Sequence, residues 1–215
     1  SAADLKAFCG RHGGIVCPST NAKQILDWSF SRREKVLFFP DQHLGRNTGY
    51  GMGIPLEEMV VWDFNKPMGG LSKEAILNAK IILWKGFCSV HQMFKPEQID
   101  AWKIKHPDGI VISHPEASFE VCQKSDHVGS TEFILTTIRK AEPNTNWLVA
   151  TELNLVNRVA EEMKPKGVEV EFMSNTVCMC ATMFRTDPQH LCWVLENLVA
   201  GNVVNQIKVK PEEAL

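Results

Sequence analysis

The sequence predicts an α/β protein built from two repeated modules, on three observations. Apolar runs of strand length alternate with amphipathic segments of helix length, which implies mostly parallel sheets covered by helices. A fixed offset of 111 residues relates the two halves: Ser19-Thr20 to Ser130-Thr131, Asp41 to Glu152, and Leu44 to Leu155. Self-similarity at constant spacing marks repeated structural units. Cysteines also close strand-like runs in each half, Cys88 after Ile81-Ile82-Leu83 and Cys180 after the run Val168–Met173. In open α/β sheets, ligands collect beyond the carboxyl ends of the strands.

In chain order, Leu5 and Phe8 give the first segment an apolar helical face that Ser1 can cap. Gly14-Ile15-Val16-Cys17 reads as a short strand, and Ile25, Leu26 and Trp28 as the apolar side of a helix. Lys35–Phe39 is a strand leading into Pro40-Asp41-Gln42-His43-Leu44-Gly45. Residues 46–80 interrupt the first module as an insertion whose many glycines mark turns, a surface excursion or a flap over the site. Lys95-Pro96-Glu97 opens a helix, with proline in its first turn. The second module reads complete from Gly109-Ile110-Val111-Ile112 onward, with four strands. Laid on it, the first lacks its opening strand, so the chain is expected to begin partway through a domain. The organisation is then 1–91 for the first module present, 92–183 for the second, and 184–215 for a terminal helix and tail. That helix has Asp187 as cap, Pro188 in its first turn, Leu191, Val194, Leu195 and Leu198 on one face, and Gly201 as its stop.

Composition narrows the function. An apolar share of 44% and a charged share of 22% suit a globular domain with a substantial core. A formal charge of −2 and the lack of a basic patch offer nothing to nucleic acid. No apolar run approaches the roughly 20 residues that span a bilayer. Seven cysteines, an odd number in a chain this long, argue against a disulfide framework and for a reducing, cytoplasmic compartment.

Of these thiols, Cys9, Cys122 and Cys192 sit among apolar neighbours and read as core. Cys17 is a weaker ligand candidate at a strand end. Cys88 and Cys180 each follow a strand and precede an expected helix N-terminus, where amides and the helix dipole favour the metal-binding thiolate. Cys178 competes with Cys180, since Cys-x-Cys also suits zinc, and the thiols alone do not choose between zinc and an iron–sulfur cluster. Pro115 holds His114 extended at a sheet edge, and Glu116 is a possible acid–base partner. His91 lies three residues beyond Cys88, on the same side of the expected helix. The pairs Ser19-Thr20 and Ser130-Thr131 stand where strands turn into helices, positions that bind phosphate or carboxylate.

The stretches Pro40–Arg46, Trp84-Lys85-Gly86-Phe87-Cys88-Ser89-Val90-His91, His114-Pro115-Glu116, Val128-Gly129-Ser130-Thr131 and Cys180-Ala181-Thr182-Met183, in this order, resemble the quinolinate synthase (NadA) family over essentially the whole chain. The long insertion resembles its cyanobacterial or plastid-like branch, so a plastid is an alternative location. The resemblance implies three αβα modules about a pseudo-threefold axis, each giving one cysteine to a 4Fe–4S cluster whose open iron is a Lewis acid. It implies condensation of iminoaspartate with dihydroxyacetone phosphate to quinolinate in de novo NAD synthesis, with L-aspartate oxidase as a supplier of iminoaspartate. Cys88 and Cys180 match two cluster ligands. His91, His114, Glu116, Ser19, Ser130 and Thr131 match residues lining the substrate cavity, with His114, Glu116 and His91 in catalytic roles. The family's first module and its cysteine have no counterpart here. The terminal helix would pack on that module, and this chain alone is expected to be an inactive fragment. Two other readings are a zinc-bound or metal-free α/β module that binds a small phosphate or dicarboxylate without catalysis, and an inert remnant.

Overall fold

The computed structural model describes residues 3–176, 180 and 182–211. The chain divides into two compact units, Ser1–Val16 with Met179–Leu215, and Cys17–Cys178. The cap expected at Ser1, and Cys178, lie outside the described residues.

The first of these units opens with α1 (Ala3–Arg11). Both sheets belong to the larger unit. Its first half runs α2 (Ala22–Phe30), β1 (Val36–Phe38), α3 (Gln42–Gly51), β2 (Met59–Trp62), α4 (Lys73–Asn78) and β3 (Ile81–Trp84). The three strands form a parallel sheet in the order β1-β3-β2, with Val36 beside Ile81 and Met59 also beside Ile81. The second half runs α5 (Pro96–Lys105), β4 (Ile110–Ser113), α6 (Phe119–Lys124), β5 (His127–Val128), α7 (Thr131–Arg139), β6 (Asn146–Ala150), α8 (Leu153–Met163) and β7 (Glu169–Phe172). Its four parallel strands lie in the order β5-β4-β6-β7.

Alternation along the strands builds the layers, because successive side chains point to opposite faces. Val111, Leu148 and Ala150 join Ile99, Trp102 and Val121 on one side of the second sheet. Ile112, Trp147 and Val149 join Ile134, Ile138, Val156 and Val159 on the other. In the first sheet Phe38, Met59, Ile81 and Leu83 pack with Ala22, Leu26 and Leu44.

The repeat is visible in the caps. Asp41 accepts from the Leu44 amide at 2.8 Å, and Glu152 accepts from the Leu155 amide at 3.1 Å, at the same offset of 111 residues. Three expectations change. Residues 14–17 form no strand: their counterpart β5 pairs only with β4, and the first sheet has no such strand among the described residues. The insertion is not merely a surface excursion, since β2 within it completes the first sheet at an edge. The first glycine of the insertion, Gly49, marks no turn either, whereas Gly53, Gly69 and Gly70 take the positive φ of turn glycines. Gly45 and Gly49 lie inside α3, and a Cβ there would stand 2.6 Å from Leu83 Cδ2 and 2.8 Å from Ile81 Cδ1. They let the helix settle close on the sheet.

The smaller unit ends in α9 (Pro188–Val199), capped by Asp187, whose carboxylate accepts from the His190 amide at 2.7 Å. Gly201 follows in the left-handed region at φ 79°, which a glycine stop requires. No residue of α9 is buried, and Cys192, expected in a core, is exposed. None of the described helices is long and apolar enough to cross a membrane.

Candidate metal centre

The loop that carries Cys88 is held by the N-terminus of α3. Past Trp84 the chain turns at Gly86, where a Cβ would lie 2.0 Å from the Pro40 carbonyl oxygen, so only glycine admits this approach. The Gln42 amide donates to the Gly86 carbonyl at 3.0 Å. Asp41 uses one carboxylate oxygen to cap α3 and the other to accept from the Cys88 amide at 2.9 Å. Burial pushes the Asp41 carboxyl up to about 6, although these amides pull it down and Glu116 adds to the rise.

Cys88 precedes a single 3-10 turn, His91–Met93, and not the α-helix expected there. So short a turn sums few peptide dipoles. The thiol's partners are side chains instead. From the second sheet, the His114 amide donates to the Ala150 carbonyl at 3.0 Å, which extends the ladder by one residue and sends Pro115-Glu116 into a turn. Donor atoms of Cys88, His91 and Glu116 all lie within 4.8 Å of one another. The carboxyl ends of β3 and β4 thus meet at one cluster, which sequence could propose only residue by residue.

The two histidines are in opposite states. His91 and His114 stack at 4.6 Å between ring centroids, and both are buried. Burial pulls His91 down, but Cys88 and the Glu116 carboxylate outweigh it and lift the imidazole to about 9. For His114, burial and the neighbouring His91 charge act together and push it down to about 4. Its Nδ1 accepts from the Glu116 amide at 3.3 Å, so its proton sits on Nε2. Burial raises the Glu116 carboxyl, yet His91 and His114 hold it below its ordinary value.

His91 also tests the fit to a metal. Its Nδ1 stands 3.1 Å from Glu116 Oε2, an ion-pair separation, but the ring N–H is not aimed at the oxygen. Both ring nitrogens are buried without a hydrogen-bond partner among the described residues. Buried polar atoms are nearly always satisfied, and a thiolate, an imidazole and a carboxylate converging on one point are metal donors. The residues present fit a bound metal.

The remaining candidates fall as follows. Ser130 caps α7, its hydroxyl accepting from the Phe133 amide at 3.3 Å, and Thr131 is exposed beside it. Ser19 is half-buried in the 3-10 turn Ser19–Asn21, which makes no side-chain cap and packs against α7. The two hydroxyl pairs therefore belong to adjoining elements. Burial pushes Cys17 up to about 11 and Cys122 to about 12, the wrong direction for a ligand thiolate. Cys180 is half-buried in the smaller unit, ahead of the 3-10 turn Met183–Arg185. Asp41, read from sequence as part of the repeat and of the Pro40–Arg46 stretch, was not named as a site residue. Its place just past the carboxyl end of β1 was the available signal.

Repeated parallel α/β modules with a Cys–His–Glu group where two strand ends meet define an α/β protein with a candidate metal site at the carboxyl ends of its strands. The chain belongs to the family described as Quinolinate synthetase A protein (NadA), which matches residues 1–215. It is 51% identical over 212 residues to a protein of Acidobacterium capsulatum named quinolinate synthase, covering 99% of this chain and 57% of that one. A Rhodopirellula baltica protein of the same name is 53% identical over 213 residues, covering 99% and 54%, and one of Corynebacterium glutamicum 47% over 214 residues, covering 100% and 54%. The chain spans a little over half the length of these curated relatives.

Proposed function

We propose that the protein to which this chain contributes is a quinolinate synthase, a cytoplasmic transferase of NAD biosynthesis. It condenses iminoaspartate, supplied by L-aspartate oxidase, with dihydroxyacetone phosphate. The observation that carries this reading is the Cys88–His91–Glu116 group at the meeting of two strand ends, in a chain of this family.

Cys88 and, on the sequence resemblance, Cys180 are the residues that would hold a 4Fe–4S cluster. When bound, such a cluster supplies an open iron, a Lewis acid toward a substrate oxygen. The chain's own side chains bind and move protons. His91, buried three residues beyond Cys88, positions the substrate or shuttles protons beside the cluster. His114 presents a neutral Nε2–H as a donor to a substrate oxygen, and the ionised Glu116 accepts a proton during dehydration. The hydroxyls of Ser19, Ser130 and Thr131, with the amides of the α7 N-terminus, take an anionic end. Burial of His91 and His114 keeps water from competing for these groups.

The test is Cys88→Ser in the full-length protein. The brown colour and quinolinate formation should both disappear while far-UV circular dichroism is unchanged. A variant that keeps its cluster and its activity refutes the assignment. One observation favours a second reading: a single thiolate, imidazole and carboxylate suit one zinc ion as they stand. Metal analysis separates the two, since zinc alone supports a binding module, and iron with inorganic sulfide supports the enzyme.

A further inference from the structure

Helix α3 stands between the two halves of the metal centre and grips both. Its cap Asp41 holds the amide of Cys88 at 2.9 Å. Further along, Asn47 Nδ2 donates to the Pro115 carbonyl at 2.8 Å and to the Ala117 carbonyl at 2.9 Å. These carbonyls flank Glu116, the residue that the second sheet contributes beside Cys88 and His91. Two oxygen acceptors settle the orientation of the amide, because a flipped side chain would set oxygen against oxygen. Asn47 Oδ1 is buried with no partner among the described residues, so only the donors of this side chain are in use. Three residues on, Tyr50 meets Phe119 of α6 edge-on, with ring centroids 4.9 Å apart. Positions three apart share a helix face. Tyr50 therefore supplies the apolar part of the same contact.

Cys88 and His91 follow one sheet and Glu116 follows the other. Their separation is set by whatever joins the modules near them, and metal ligation tolerates errors of only about 0.2 Å in bond length. We propose that Asn47 is the positioning residue of this centre: its paired hydrogen bonds fix where Glu116 stands relative to Cys88 and His91. The proposal rests on the second reading above, in which those three side chains together bind one metal ion.

Titration of Co2+ into the whole, metal-free chain tests it through the thiolate-to-cobalt absorption band. Asn47→Ala and Asn47→Asp should weaken Co2+ binding roughly 10- to 100-fold, the usual effect of losing an outer-shell partner. Asp should be the worse, since its carboxylate would face two carbonyls. Tyr50→Ala should lower the thermal midpoint and leave Co2+ affinity as it was. Unchanged affinity in both Asn47 variants, or a loss in Tyr50→Ala as large as theirs, overturns the proposal. Should Asn47→Asp not fold, Asn47→Ala, which adds no charge, carries the comparison. If the unaltered chain itself shows no cobalt band, the metal reading is what fails, and hydrogen exchange at the Glu116 and Ala117 amides decides on Asn47 alone. Faster exchange there in Asn47→Ala, with Tyr50→Ala unchanged, supports the clamp, and equal exchange overturns it.

Discussion

At the scale of the residue, the stacked histidines show how burial and charge can drive identical side chains apart. In the metal-free chain they place opposite slopes on stability against pH. His91, lifted to about 9, binds its proton more tightly in the folded state, so its contribution is complete below pH 6.5 and is lost as pH rises through 9. His114, held down to about 4, is neutral where an unfolded chain would be charged, so its contribution is complete above pH 6.5 and is lost as pH falls through 4. Denaturant unfolding across this range should show His91→Gln flattening the alkaline slope and His114→Gln the acid slope. Nuclear magnetic resonance titration of the two rings should give well-separated midpoints. A shared midpoint near the ordinary histidine value would sink this account. Bound metal needs an unprotonated His91 nitrogen, so metal uptake near neutral pH should release a proton.

At the scale of the element, close approach decides where glycine is needed. Gly86→Ala must separate the Cys88 loop from Pro40, because the clash is with a backbone oxygen that no rotamer can relieve. We expect a loss of about 1–3 kcal/mol in unfolding free energy, together with weaker Co2+ binding. Gly45→Ala sets two opposed effects against each other. Alanine favours the helix by about 1 kcal/mol, while its methyl would press on Phe38 and Leu83 in the core, an overpacking worth about 1–3 kcal/mol. Overpacking should win, and thermal melts should show net destabilisation. A stabilised Gly45→Ala would mean that α3 can lift from the sheet without cost.

At the scale of the whole molecule, stability is concentrated in the larger unit. Ile138 is fully buried between α7 and the second sheet, and Ile138→Ala should cost about 2–5 kcal/mol. Leu195 on α9 is 53% exposed, and Leu195→Ala should stay within about 0.5 kcal/mol. Equal losses in the two variants, measured by urea unfolding, would contradict this distribution. The apolar periodicity of α9 was plain in the sequence. Whether its face is covered was not, since periodicity reports which side of a helix is apolar and nothing about what meets it.

Much of the fold was legible because its signals are local. Caps such as Asp41 and Glu152, the strand runs around Ile81 and Val111, and the common spacing between the halves all act within a few residues or repeat by rule. Residues 14–17 misled because a strand exists only with a neighbour to pair with, and propensity does not say whether one is present. Gly49 misled because a glycine that permits helix-on-sheet contact looks, in sequence, like the turn glycines that follow it at Gly53, Gly69 and Gly70. The candidate site divides in the same way. Cys88, His91, His114 and Glu116 were named from their places after strands. Their convergence, the opposite charge states of the two rings, and the part played by Asn47 depend on atoms some 23 to 70 positions apart in the chain. The sequence by itself determined the alternation of elements, the repeat and the inventory of donors, since backbone chemistry and side-chain pattern settle these locally. Only the tertiary structure decided which donors share one point and how burial tunes them, because distance and desolvation are properties of packed neighbours.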